Sequence, residues 1–122
     1  MNVALLVQGS PEDTQACDQA LSFARAVVRK NHTLERVFFY KDAVKIAGDP
    51  ATLPEATMTC SRAWLEFAKQ NHTELQVCVS ACERRGISVE QTLDSGSPCF
   101  EVVGLGQFVE STIECDRLVT FS

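Results

Sequence analysis

Short continuous apolar runs alternate along this chain with longer stretches in which apolar side chains recur at helical spacing. Residues 2–8 read as a buried strand, and Gly9-Ser10-Pro11 as the turn after it. Ser10 is placed to cap a helix, Pro11 suits its first position, and Glu12 and Asp13 suit the positive end of its dipole. That helix runs to about Lys30 with Ala16, Ala20, Phe23, Ala24, Val27 and Val28 on one face. Leu34 to Tyr40, rich in β-formers, is a second strand. Residues 41–57, with Gly48, Pro50 and Pro54, read as a long loop. A second helix begins near Thr59, carries Cys60, Ala63, Trp64, Phe67 and Ala68 inward, and closes at Asn71-His72.

The third strand is 75–79, followed at once by a short helix that stops at Gly86. Turn residues from Asp94 to Pro98 mark 87–99 as a surface excursion. Gly104-Leu105-Gly106 opens a last helix with Leu105, Phe108, Val109 and Thr112 toward the core. Asp116 ends it, and Arg117 to Phe121 is a closing strand. Strands alternating with helices predict a three-layer α/β/α fold of the flavodoxin or Rossmann kind, with a mostly parallel sheet of four to five strands. With no repeat, low-complexity tract or linker, residues 1–122 are expected to form a single domain.

Charge narrows the choice of partner. There are 11 basic and 16 acidic residues, a formal net charge of −5, and no basic stripe. Direct binding to nucleic acid, which needs clustered Lys and Arg to neutralise phosphates, is disfavoured. The first residues lack a charged n-region, and no apolar run reaches membrane-spanning length, so a cytoplasmic protein without membrane attachment is expected.

In a reducing compartment the six cysteines, at 17, 60, 78, 82, 99 and 115, are expected to remain thiols. Their spacing lacks the paired ligands of a zinc site, and His32 and His72 stand alone, so no metal is expected. Cys78 differs from the others. It lies where Leu75-Gln76-Val77-Cys78-Val79 gives way to Ser80-Ala81-Cys82-Glu83-Arg84-Arg85-Gly86, at the carboxyl end of a strand and near a helix N-terminus. Open α/β sheets bind ligands at strand carboxyl ends, and a helix N-terminus favours a thiolate. Position alone leaves open whether Cys78 is a nucleophile or a small buried hydrophobe. Arg84 and Arg85, roughly 9–10 Å along the helix, are too distant to activate it strongly and suit the negative helix end beside Gly86.

Cys82 has two readings. It could resolve an oxidised or sulfur-loaded Cys78, or pack against the sheet. Their i, i+4 Cβ separation would be about 5–6 Å against roughly 3.8 Å in a disulfide, so a bridge requires the turn to unwind. Cys17, Cys60 and Cys115 fit helical apolar stripes as core filler, and Cys99 sits beside Pro98 with nothing near to activate it. Gln8-Gly9-Ser10-Pro11-Glu12-Asp13 is a poor phosphate cradle: it has one glycine, a proline without an N–H, and two carboxylates. His72 precedes the third strand, at the end away from Cys78. Gln8, Gly9, Tyr40 and Lys41 are expected on the same sheet edge as Cys78, as neighbours rather than catalysts.

Three stretches together resemble one family: Arg36 to Val44, Val77 to Gly86, and Gly104 to Glu110 with Asp116 to Phe121. The chain resembles the DsrE/TusD sulfurtransferases nearly end to end. That resemblance implies a DsrE-like fold and a Cys78 that accepts sulfane sulfur as a persulfide and passes it to a partner's cysteine, with no cofactor. It also implies TusB-like and TusC-like companion subunits in a heterohexamer, a TusA-like donor and a TusE-like acceptor, with the sulfur destined for 2-thiouridine in tRNA. DsrE-type transfer in sulfur oxidation is the alternative, and a non-catalytic assembly subunit is another. Ala43 replaces a glycine usual in the family, Cys82 stands where alanine is usual, and the segment between Gly86 and Gly104 is short.

Overall fold

A computed structural model describes residues 1–89 and 100–122. Five strands, β1 (Asn2–Val7), β2 (Thr33–Phe39), β3 (Glu74–Cys78), β4 (Phe100–Val103) and β5 (Arg117–Phe121), form one sheet in the order β4-β3-β2-β1-β5. All four pairings are parallel. Among the described residues four α-helices accompany them: α1 (Ala16–Arg29), α2 (Glu55–Asn71), α3 (Val79–Arg84) and α4 (Leu105–Ser111). From β1 to β4 the chain adds strands in one direction; β5 then returns to the far side of β1. Right-handed crossovers put helices on opposite faces when that direction reverses. Accordingly the ring of Trp64 (α2) meets Phe39 edge-on at 5.6 Å, while Phe108 (α4) stacks at 4.4 Å on Phe38, the next residue and hence the opposite face.

The α1/α2 side holds the dry core. Phe39, Val77, Leu75 and Phe100 share it by register, and Trp64 and Phe67 fill it from α2. Trp64 is fully buried and donates its indole N–H to the Cys17 carbonyl at 3.2 Å, which satisfies the polar atom that burial would strand. Three helices end in a left-handed residue, Asn31 after α1, His72 after α2 and Gly86 after α3. Helices α1 and α3 close with paired 6→1 and 5→2 bonds, whereas at α2 both His72 and Thr73 N–H groups bond to the Ala68 carbonyl.

Several expectations are corrected. The first helix begins at Ala16, not at Ser10. Ser10 instead builds a tight turn, accepting the Glu12 N–H on Oγ (3.2 Å) and the Thr14 hydroxyl on its carbonyl (2.7 Å). The stretch read as a loop contains a 3-10 segment, Lys41–Ala47, that buries Ala43, Val44, Ile46 and Ala47. The second helix starts at Glu55, immediately after Pro54, whose ring presets the backbone there. In α4 only Phe108 is buried; Leu105 and Val109 are 38% and 56% exposed, because a seven-residue helix reaches the sheet through one ring. Phe23 is also partly exposed, its ring 5.6 Å from that of Phe121. β4 was not foreseen as a strand. The turn signals of 94–98, and Cys99, lie outside the described residues.

Gly9 shows why the first turn takes this form. A Cβ there would lie 2.5 Å from Thr14 Oγ1, 2.7 Å from Ala16 Cβ and 3.0 Å from the Ser122 carbonyl carbon. Gly9→Ala is therefore expected to cost about 1–3 kcal/mol by forcing α1 away from β1 and β5. Urea unfolding of the two proteins would measure it, and an unchanged midpoint would contradict the contact.

Candidate active site

Because the sheet is parallel throughout, every strand delivers its carboxyl end to the same edge. β2 ends there with Tyr40-Lys41, β3 with Cys78, β4 with Val103-Gly104, and β1 with Gln8-Gly9. Cys78 pairs in register with Val103 on one side, and Tyr40 follows the neighbouring end of β2 on the other. Gln8 and Gly9 are a further strand away. Cys78 is also the N-cap residue of α3, with extended backbone angles (φ −72°, ψ 124°), and Gly104 holds the same position on α4. Two helices thus start side by side at the thiol, where first-turn N–H groups have no partner within their own helix. Alternation along β3 puts Cys78 on the α4 side of the sheet with Gln76.

In the isolated chain Cys78 is only 2% exposed. Any reaction of this thiol with a bulky reagent requires a movement that uncovers it. The short α3 starts at this residue, and its far end is anchored. Gly86 is left-handed (φ 65°), and Ile87 N–H bonds to the Cys82 carbonyl at 2.9 Å. Arg85 donates from Nε to Asp42 Oδ1 at 2.8 Å and from Nη1 to the Ala81 carbonyl at 3.1 Å, tying α3 to the 3-10 segment. The sequence reading gave Arg85 only a helix-end role. Asp42, which it did not single out, sits next to left-handed Lys41 (φ 52°), and that pairing across distant segments has no local signature.

Of the remaining candidates, Cys82 is buried on α3, and its thiol is pushed up by burial first and by the neighbouring Cys78 second. Cys17 and Cys60 are core residues as expected. Burial, then Asp18, raises Cys17 to about 12; burial, then a hydrogen bond with Asp18, raises Cys60. Cys115 is not core filler: it is half-buried and donates to Glu35 Oε2 at 3.3 Å, because the chain leaves the helix before reaching it. His72 caps α2 at the amino end of β3, opposite Cys78. In the first turn, the N–H groups of Glu12 and Thr14 are taken by Ser10, so they do not point outward as a phosphate cradle would need. Among the described residues no cluster of three or more His, Cys, Asp or Glu could hold a metal. A cavity of about 710 Å³ between Lys45–Pro54, Ser61, Leu65 and Gly86–Val89 does not include Cys78 in its lining.

A parallel α/β sheet with a cysteine at a strand-to-helix junction on its carboxyl edge defines a thiol-bearing α/β protein. The DsrE/DsrF-like family model matches residues 1–121, and the chain belongs to that family. It is 38% identical to a protein named DsrE from Allochromatium vinosum, over 99% of this chain and 98% of that one. It is 35% identical to the sulfurtransferase TusD of Cronobacter sakazakii (99% and 100% covered) and 34% to that of Sodalis glossinidius (99% and 98%). The solved structure of the ychN protein from E. coli superposes with a TM-score of 0.76 at 22% identity, covering 99% of each chain, and shows the same fold.

Two outcomes follow. Iodoacetamide at mildly alkaline pH should leave Cys17 and Cys60 unmodified in the native chain and modify both in urea; native labelling of either would contradict their burial. The Asp42 carboxyl is held below its usual range, chiefly by the hydrogen bond from Arg85. A depressed carboxylate stabilises fully above its unfolded pKa, and the contribution fades as pH falls through the folded value. Arg85→Ala should therefore lower the urea midpoint at neutral pH, with the difference from wild type shrinking below about pH 3. A pH-independent difference would argue against the pair.

Proposed function

We propose that this sulfurtransferase carries sulfane sulfur as a persulfide on Cys78 and relays it between partner proteins. The observation that supports this is the placement of Cys78 at the carboxyl end of β3 and the N-cap of α3, in a chain aligned end to end with sulfurtransferases. The chemistry needs one thiol. The Cys78 thiolate attacks the terminal sulfur of a donor persulfide, the donor's thiolate leaves, and an acceptor thiolate later attacks the sulfur that Cys78 holds. No cofactor takes part, because the S–S bond already stores the reactive sulfur. In this reading a TusA-like protein donates, a TusE-like protein accepts, and TusB-like and TusC-like subunits complete a heterohexamer in the cytoplasm, with 2-thiouridine in tRNA as the destination. Docking of donor or acceptor would supply the movement that uncovers the buried thiol.

A second reading is favoured by the 38% identity to DsrE, slightly above the 35% identity to the TusD of Cronobacter sakazakii. Here the same thiol serves sulfur oxidation. Incubation with a polysulfide donor followed by intact-mass measurement tests the part common to both. The expected result is a gain of one sulfur atom that Cys78→Ser abolishes. A gain that survives this substitution would remove Cys78 from the chemistry.

A further inference from the structure

Cys82 lies four residues beyond Cys78, buried (4% exposed) on the same short helix and close enough for the charge of Cys78 to raise its pKa. We infer that Cys82 discharges the loaded site: its sulfur attacks the inner sulfur of a persulfide on Cys78, closing a Cys78–Cys82 disulfide and expelling hydrogen sulfide. This rests on the reading of Cys78 as the sulfur carrier. The step balances without an outside oxidant. The Sγ–Sγ bond forms as the bond from Cys78 Sγ to the terminal sulfur breaks; the sulfane sulfur is reduced to sulfide while the two thiol sulfurs are oxidised to the disulfide. A persulfide anion cannot lose its terminal sulfur as a dianion, so that atom must gain a proton. Burial keeps Cys82 protonated, and the proton it loses on becoming the nucleophile is the one the leaving sulfide needs.

The geometry asks for a small local change. For i and i+4 helical residues the Cβ atoms are about 5–6 Å apart, and a disulfide needs roughly 3.8 Å. Cys78 is not held by helical backbone angles, since it is the extended N-cap residue. Cys82 belongs to the end fixed by Gly86, Ile87 and the Arg85–Asp42 pair. Loosening the first turn of a six-residue helix closes the gap and leaves the anchored end in place. Because both thiols are withdrawn from solvent, the internal attack competes well whenever no acceptor is docked. The product is a site closed to further loading until a dithiol reductant reopens it.

The full chain would be loaded anaerobically with polysulfide, desalted and followed by intact mass, peptide mapping and sulfide trapping. Wild type should lose the added sulfur as sulfide while a Cys78–Cys82 disulfide appears in equal amount. Cys82→Ala, and Cys82→Ser as a check against misfolding, should keep the persulfide on Cys78 at least about tenfold longer. If both take up sulfur but wild type and variants lose it at one rate, with no such disulfide, the discharge step is overturned and the carrier stands. If neither wild type nor the Cys82 variants take up sulfur and no Cys78–Cys82 disulfide forms, the carrier reading falls and the discharge step with it.

Discussion

Parallel pairing in every strand is the constraint from which the rest of this molecule follows. Parallel neighbours cannot be joined by a tight hairpin, so each connection crosses a face and each strand arrives with its carboxyl end on one edge. Tyr40, Cys78 and Val103-Gly104 come together there although they are far apart in sequence. Reversal of strand order after β4 then leaves the two long helices on one face and α4 on the other. The thiol belongs to the more lightly covered face.

That asymmetry separates stability from chemistry. The α1/α2 face is closed by interlocked rings, Trp64 against Phe39 and Phe67 and Phe39 against Phe100, with centroids 5.6–5.8 Å apart in each pair. The opposite face relies on Phe108 over Phe38, carried by a helix of seven residues. Short helices contribute few internal bonds, so their position is set by anchors such as Arg85. A reactive group under such elements can be shielded at rest and exposed by a partner without disturbing the main core.

The strands with long apolar or β-branched runs, β1, β2, β3 and β5, were legible because a buried parallel strand needs an unbroken hydrophobic stretch. β4 was not, since four residues between turn signals and a glycine carry little periodic information. The junction holding Cys78 could be read from the abrupt end of the β3 run and from Gly86. Helix starts were less readable: Ser10 has the chemistry of a cap, and it spends that chemistry on a turn dictated by close packing at Gly9. Helical spacing also suggested that Leu105, Val109 and Cys115 were core; a periodic stripe reveals a face but not how much sheet lies beneath it. The Asp42–Arg85 pair joins residues 43 positions apart, beyond the reach of any local pattern.

The left-handed helix ends have a practical side. Gly86 adopts its positive φ at no steric cost, whereas His72 holds φ 53° with a Cβ that disfavours it. It does so at the amino end of β3, the full length of a strand from the edge that bears Cys78. Heat tolerance could thus be engineered at position 72 without disturbing Cys78, because the strained helix end and that thiol occupy opposite poles of the sheet.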